Sequence, residues 1–172
     1  MEKFMNKRII TNVSKLLVFL FIIQFTGPVI ADTVKITSGT PIQLSLFHTI
    51  NGKTSRIGKR VTFRLMNDVN INGNKVISAG TNAFGEIVNI DKPGLFGKPG
   101  TVSIDVKSIK AVDGTEVQLS GAIGAMGKSK AALSIILTIF FLFGFLITGS
   151  DASIQKGTII DATTIGEIDI DL

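Results

Sequence analysis

Few residues of this chain could do chemistry, and each stands in an incomplete pattern. Gly121-Ala122-Ile123-Gly124-Ala125-Met126-Gly127-Lys128-Ser129 comes nearest to a nucleotide-binding signature. A phosphate loop, G-x-x-x-x-G-K-[ST], cradles phosphate oxygens with backbone N–H groups and requires Gly at the position held by Ala122. The run that follows is wholly apolar, and no parallel βαβ context surrounds it. A flexible glycine hinge is the expected role. Gly94-Leu95-Phe96-Gly97-Lys98-Pro99-Gly100 reads G-x-x-G-x-x-G, but it leads into a strand pattern, so no helix N-terminus is available to hold a phosphate. It is expected to be a hairpin loop with an exposed Leu95-Phe96 tip, more often a plain loop than a contact point.

His48 is the only histidine. It is expected on the outward side of a strand over 44–49. A nucleophile–His–carboxylate set needs three side chains within hydrogen-bond reach, and no spacing of Asp and Ser here assembles one. The carboxylates are dispersed singly, and those of the tail alternate with Ile, which suits the solvated face of a strand and not an oxygen cage for a cation. Zero Cys excludes disulfides, zinc–thiolate sites and thiol catalysis. No catalytic, cofactor-binding or metal-ligating residue is assigned, no cofactor is expected, and the chain reads as non-enzymatic.

The elements that would carry such residues emerge from charge and hydropathy. The 172 residues carry a formal charge of +5, unevenly spread. Residues 32–130 hold 13 Lys/Arg against 7 Asp/Glu, whereas 151–172 hold Lys156 against Asp151, Asp161, Glu167, Asp169 and Asp171. The basic residues of the body are scattered without interleaved aromatics, so nucleic acid is not an expected partner.

Residues 1–31 read as a signal peptide. Lys3, Lys7, Arg8 and Lys15 form a basic region, Leu16–Phe25 an apolar core too short to span a bilayer comfortably, and Gly27-Pro28 a helix break. Val29 and Ala31 then stand at the positions before a cleavage site at Asp32, and with no Cys there the chain is not a lipoprotein.

Residues 32–172 read as a mainly β domain, a small barrel or sandwich. Val61–Leu65, Val102–Val106 and Glu116–Leu119 alternate apolar and polar side chains, the period of a half-buried strand. Asn72-Gly73, Lys92-Pro93-Gly94, Lys98-Pro99-Gly100 and Asp113-Gly114 are turn signals between them. One element recurs three times: Ile36-Thr37-Ser38-Gly39-Thr40, Ile77-Ser78-Ala79-Gly80-Thr81 and Ile154-Gln155-Lys156-Gly157-Thr158 all read I-x-x-G-T. Ile closes one segment, Gly takes a turn geometry that other residues resist, and β-branched Thr opens a strand. The tail strands 154–164 are therefore expected to pair with the body.

These motifs also carry a resemblance. Gly39–Leu44, Gly58–Val61, Asp68-Val69, Val76–Thr81 with Gly85-Glu86, and Asp113–Leu119 follow the order found in the C-terminal β-barrel of the type IV secretion and conjugation channel component that bridges the bacterial membranes. Ser78 stands where that family has Pro. The resemblance spans 39–164 and implies a barrel interrupted by a membrane-active helical insertion, in a protein of the cell envelope.

Ala131–Gly149 is such an insertion: 19 residues without a charge, about 28 Å long as a helix and close to the ~30 Å of hydrocarbon in a bilayer. Apolar on every face, it is expected to contact membrane lipid rather than to be covered by so small a domain. Lys128 and Lys130 precede it and acids follow, the wrong polarity for a simple stop-transfer span. Gly144 and Thr148-Gly149-Ser150 offer break points for a segment that turns back.

Two functions are compatible with this sequence. One is a structural or assembly component of the bacterial envelope, exported to the periplasm and membrane-associated, similar to a secretion-channel barrel and associating with itself or other envelope proteins. The other is a membrane-anchored periplasmic binding module for anionic lipid or glycan. The mature chain should begin at Asp32; N-terminal sequencing of the envelope-localised protein checks this, and an intact Met1 there would disprove cleavage.

Overall fold

The structure is a computed structural model, and it describes residues 33–135 and 146–172 together with Lys15, Val18 and Phe19. The chain forms two compact units, Met1–Asp32 and Thr33–Leu172. Lys15, Val18 and Phe19 are helical and exposed; the remainder of the expected signal peptide lies outside the described residues.

Thr33–Leu172 is mainly β. Its strands are β1 (Thr33–Ile36), β2 (Pro41–Leu46), β3 (Ile50–Asn51), β4 (Arg60–Leu65), β5 (Val69–Ile71), β6 (Asn74–Ile77), β7 (Asn82–Asp91), β8 (Thr101–Lys110), β9 (Glu116–Met126), β10 (Ser153–Ile154), β11 (Ile159–Thr164) and β12 (Ile168–Asp171). Six of them close a barrel in the order β11-β2-β4-β7-β8-β9, every neighbour antiparallel. Of the two architectures compatible with the alternation, the barrel forms because β11 pairs on both sides. Ile160 stands opposite Leu44 of β2, and Thr164 opposite Leu119 of β9.

The period-2 pattern decides what lies inside. Ile42, Leu44 and Leu46 of β2, Val61, Phe63 and Leu65 of β4, and Val102, Ile104 and Val106 of β8 are all buried. Each fully buried aliphatic or aromatic side chain stabilises by about 1.5–3 kcal/mol relative to exposure, and that sum is what holds β11 in place. Phe63 is the large ring at the centre, 0% exposed. Room for it comes from Gly85 on β7, where a Cβ would stand 2.9 Å from the ring, and the β7–β8 ladder shifts register at this point.

The three I-x-x-G-T segments make one turn three times. Gly39, Gly80 and Gly157 all take φ between +81° and +84°. In each the Thr N–H reaches back to the residue three before it, and the Gly N–H donates to the last residue of a neighbouring strand. Gly39 bonds Thr164 O at 2.9 Å, Gly80 bonds Leu65 O at 2.8 Å, and Gly157 bonds Leu46 O at 2.8 Å. A positive φ at the third turn position is the type II geometry that Gly tolerates best. Arg56-Ile57-Gly58-Lys59 builds the same device without the motif: Gly58 N–H bonds Ile87 O at 2.9 Å. Each turn thus starts a barrel strand and ties it to its neighbour.

Two expectations are corrected. Gly121–Ala125 is not a hinge, because β9 runs unbroken from Glu116 to Met126. Gly121 lies so near β11 that a Cβ would stand 2.9 Å from the Ala162 Cβ, so glycine serves close strand packing there. His48 is not on a strand: β2 ends at Leu46 and His48 lies in the following bend, exposed, edge-on to Phe47 at 4.4 Å between ring centres.

β12 pairs with β1 in an antiparallel ribbon, Ile170 opposite Val34, and the β8–β9 turn holds its end. The Asp113 carboxylate accepts from Thr115 Oγ1 at 2.6 Å, Thr115 N–H at 2.8 Å and Asp171 N–H at 3.3 Å. These donors, the Thr115 hydroxyl first, hold its pKa below the usual carboxylate value. A lowered folded pKa stabilises above the ordinary value of 3.8 and ceases to do so as pH falls through the lower one. Asp113→Asn should therefore flatten the decline of the urea midpoint between about pH 4 and pH 2; a decline as steep as the parent's would disprove the role.

Candidate functional site

Beyond the barrel, the far ends of β7, β8 and β9 continue as a three-stranded sheet. Its last row sets Asp91 opposite Thr101 and Thr101 opposite Met126. Thr101 Oγ1 donates to Asp91 Oδ2 at 2.8 Å and Asn89 Nδ2 donates to the same oxygen at 3.3 Å; the two donors lower the Asp91 pKa.

Three backbone segments meet on this row: the β7–β8 loop 92–100, the exit from β9 at 127–131, and the return at 146–151. Gly97 N–H donates to Ile147 O at 2.9 Å, and Lys130 N–H to Gly97 O at 3.0 Å. Gly100 N–H bonds Ser150 O at 3.0 Å and Gly127 N–H bonds Gly100 O at 2.8 Å. The two legs are joined directly, Ser150 N–H to Lys128 O at 3.1 Å.

This junction accounts for both glycine motifs. A Cβ on Gly97 would collide with the backbone of Lys130 and Ala131, one on Gly149 with Lys98 O, and one on Gly127 with Ser150 O. Gly100 approaches Asp91 O within 2.8 Å of its would-be Cβ. Both motifs pack backbone against backbone, where the sequence suggests a hinge in one case and a hairpin loop in the other. The loop is a hairpin connection, as expected, but its base is built into the legs of the apolar segment.

Residues 131–135 form a short helical run starting at this junction, with Ser134 N–H bonding Lys130 O at 2.9 Å. Residues 136–145 lie outside the described residues. Among the described residues no helix is long and apolar enough to cross a membrane. The legs nevertheless fix a geometric constraint. Residues 131–149 leave and re-enter the fold at one point, so their two ends cannot lie on opposite sides of a layer ~30 Å thick.

The Leu95-Phe96 tip is exposed as the motif predicts, 54% and 55%. Phe96 has φ 56° and Gly97 φ 71°. A left-handed non-glycine residue costs about 1–3 kcal/mol, and its neighbours' bonds hold it so that the ring points away from the core. Met126, Leu133, Ile135 and Leu146 are exposed nearby in sequence or through the junction, at 51–69%.

A second surface was not legible in sequence. Arg64 lies over the Phe47 ring at 4.5 Å, Lys156 stands 6.0 Å from the same ring, and Arg60 lies over Phe84 at 4.5 Å. Basic and aromatic residues do interleave, but across β4, β7, the residue after β2 and the turn before β11 rather than along one strand. Ser45, Phe47, Arg64, Met66 and Lys156 line a cleft of about 300 Å³. Among the described residues no group of three or more His, Asp or Glu could hold a metal ion.

Gly97→Ala combines left-handed strain with a backbone collision. Gly114, at φ 90°, has open space where a Cβ would sit. Gly114→Ala should cost only the left-handed penalty, about 1–2 kcal/mol, and Gly97→Ala a further ~1–3 kcal/mol from overpacking. Urea midpoints measure the difference, and amide exchange at Lys130 and Ser150 should accelerate in Gly97→Ala alone. Equal midpoints would mean the junction is not close-packed.

No family model matches the sequence, and neither does any curated protein. Among solved structures the chain is similar to ComB10 of the Com type IV secretion system of Helicobacter pylori, with 12% identity, a TM-score of 0.43, and coverage of 77% of this chain and 88% of that one.

Proposed function

We propose that this chain is a non-enzymatic structural component of a bacterial-type cell envelope: a β-barrel that holds a lipid-inserting segment at one rim, on the non-cytoplasmic side, in the manner of secretion-channel barrels. The observation that carries this reading is the hydrogen bond from Ser150 to Lys128, which brings the two ends of an uncharged 19-residue segment together. A segment of that composition seeks hydrocarbon, and joined legs make it enter and turn back. The order of the glycine and strand motifs supports the kinship with secretion-channel barrels. The charges agree: Lys128 and Lys130 on the entering leg would oppose a single stop-transfer pass from the outside.

The cleft beside Phe47, Arg64 and Lys156 favours a second reading, a membrane-anchored module that binds an anionic glycan. Gel filtration in detergent separates the two, a ring of subunits supporting the first and a glycan-binding monomer the second.

Alkaline phosphatase fused after Leu172 should be active, whereas a fusion active only as a cytoplasmic reporter would refute the proposed topology. Leu142→Arg should lower membrane association, because a cation at the centre of a lipid-embedded helix costs about 2.5–3.5 kcal/mol. The barrel should keep its urea midpoint in that variant if the segment lies in lipid.

A further inference from the structure

The rim that holds the ends of the apolar segment combines exposed cations with an exposed apolar tip. Four lysines belong to the three segments that meet there: Lys92 and Lys98 on the β7–β8 loop, and Lys128 and Lys130 on the exiting leg. All four are exposed, and the ion pairs of the described residues, Lys35–Glu167, Lys75–Asp68 and Lys107–Asp105, use none of them. The carboxylates on or next to these segments are Asp91, the last residue of β7, and Asp151. Asp91 is engaged by Thr101 and Asn89, with Lys98 adding a smaller electrostatic effect. Four cations against two acids leave the rim positive, although 151–172 as a whole is acidic.

The same rim presents Leu95 and Phe96 at its tip. Their exposure is not a failure of packing. Gly94 N–H bonds Lys98 O at 3.0 Å and Lys98 N–H bonds Leu95 O at 3.3 Å, which closes a tight turn around Phe96. Gly97, next in the chain, is bonded to both legs of the apolar segment. A strained aromatic residue, held outward and locked to the base of a lipid-seeking segment, has the placement of an interfacial anchor. Apolar tip and lysine collar share one rim, the composition that seats a protein in the headgroup layer of an anionic membrane.

We infer that this rim docks on a bilayer bearing anionic phosphate headgroups, with Lys92, Lys98, Lys128 and Lys130 drawing those lipids around the base of the 131–149 segment and Phe96 lying at headgroup depth. The inference rests on the reading that the segment enters lipid, and it adds which lipid surrounds it and which residues select it. The apolar segment alone does not discriminate among lipids, having no charge. The lysines supply the selectivity, each worth roughly a fivefold preference for an anionic over a neutral surface.

The chain has no Trp and no Tyr, so Phe96→Trp introduces a single indole at the tip. The full-length Phe96→Trp protein is reconstituted in vesicles of about seven parts phosphatidylcholine to three of phosphatidylglycerol, with bromine placed near the headgroup of one lipid or the other. Brominated phosphatidylglycerol should quench the indole at least threefold more per molecule than brominated phosphatidylcholine. Lys→Gln at 92, 98, 128 and 130 together should bring that ratio to one, and Lys→Arg at the same four positions should restore it, which separates charge from stem geometry. Inorganic phosphate at millimolar concentration should leave the ratio unchanged; its loss would mean that a free anion site had been mistaken for a lipid surface. A ratio of one in the Phe96→Trp protein, with both lipids quenching, overturns the lysine collar and leaves the insertion reading standing. Quenching by neither lipid, with association also indifferent to Leu142→Arg, overturns both.

Discussion

The barrel can close only after the chain has come back from the apolar segment. β11 must lie between β2 and β9, and it follows residues 131–149 in sequence. An open five-strand sheet β2-β4-β7-β8-β9 would leave unpaired backbone along two edges and expose apolar side chains that are now buried. The requirement that β11 return therefore bears on the two described legs, 127–135 and 146–158, that lead out of β9 and back to β11. The two legs must meet, and the glycines at 97, 100, 127 and 149 let three backbones approach closely enough to hydrogen-bond.

That constraint also links stability to the proposed role. Ile160 and Ala162 of β11 complete the buried wall of the barrel, and β10 with β3 extends it, Ile154 opposite Ile50. An insertion that leaves through a backbone-bonded junction can differ from its scaffold in preferred solvent. Its entry and exit are fixed to the sheet by hydrogen bonds at Gly97, Gly100, Lys128 and Ser150, the rigid base that the proposed insertion requires.

The turns show how one local device can be reused. I-x-x-G-T at 36–40, 77–81 and 154–158 each place a left-handed Gly beside the end of a neighbouring strand, and the variant at 56–59 places Gly58 beside the middle of β7. The first and third are reciprocal: Gly39 bonds the end of β11, and Gly157, which precedes β11, bonds the end of β2. The strand that opens the barrel in sequence and the strand that closes it in space are thus fastened to one another at both ends.

Three of the barrel strands, their inward faces and several turns were determined by the sequence alone, because alternation with period 2 and the preferences of Gly and Asn-Gly are local properties; the end of β2 before His48 was not. Val61–Leu65, Val102–Val106 and Glu116–Leu119 all fall inside strands, and Asn72-Gly73 takes left-handed angles at both residues, as a tight hairpin turn demands. The recurrence of I-x-x-G-T told correctly that the tail rejoins the body. Tertiary structure decided what depends on approach between distant segments. Barrel closure over a sandwich required β11 to find two partners. Gly121 and Gly127 resemble a hinge in one dimension and are close-packing contacts in three. The pairing of Arg60 with Phe84 and of Arg64 with Phe47 crosses strands, so no window along the chain contains it. The meeting of Lys128 with Ser150, on which the functional reading rests, joins residues separated by the whole apolar segment, and only the return of β11 brings them together.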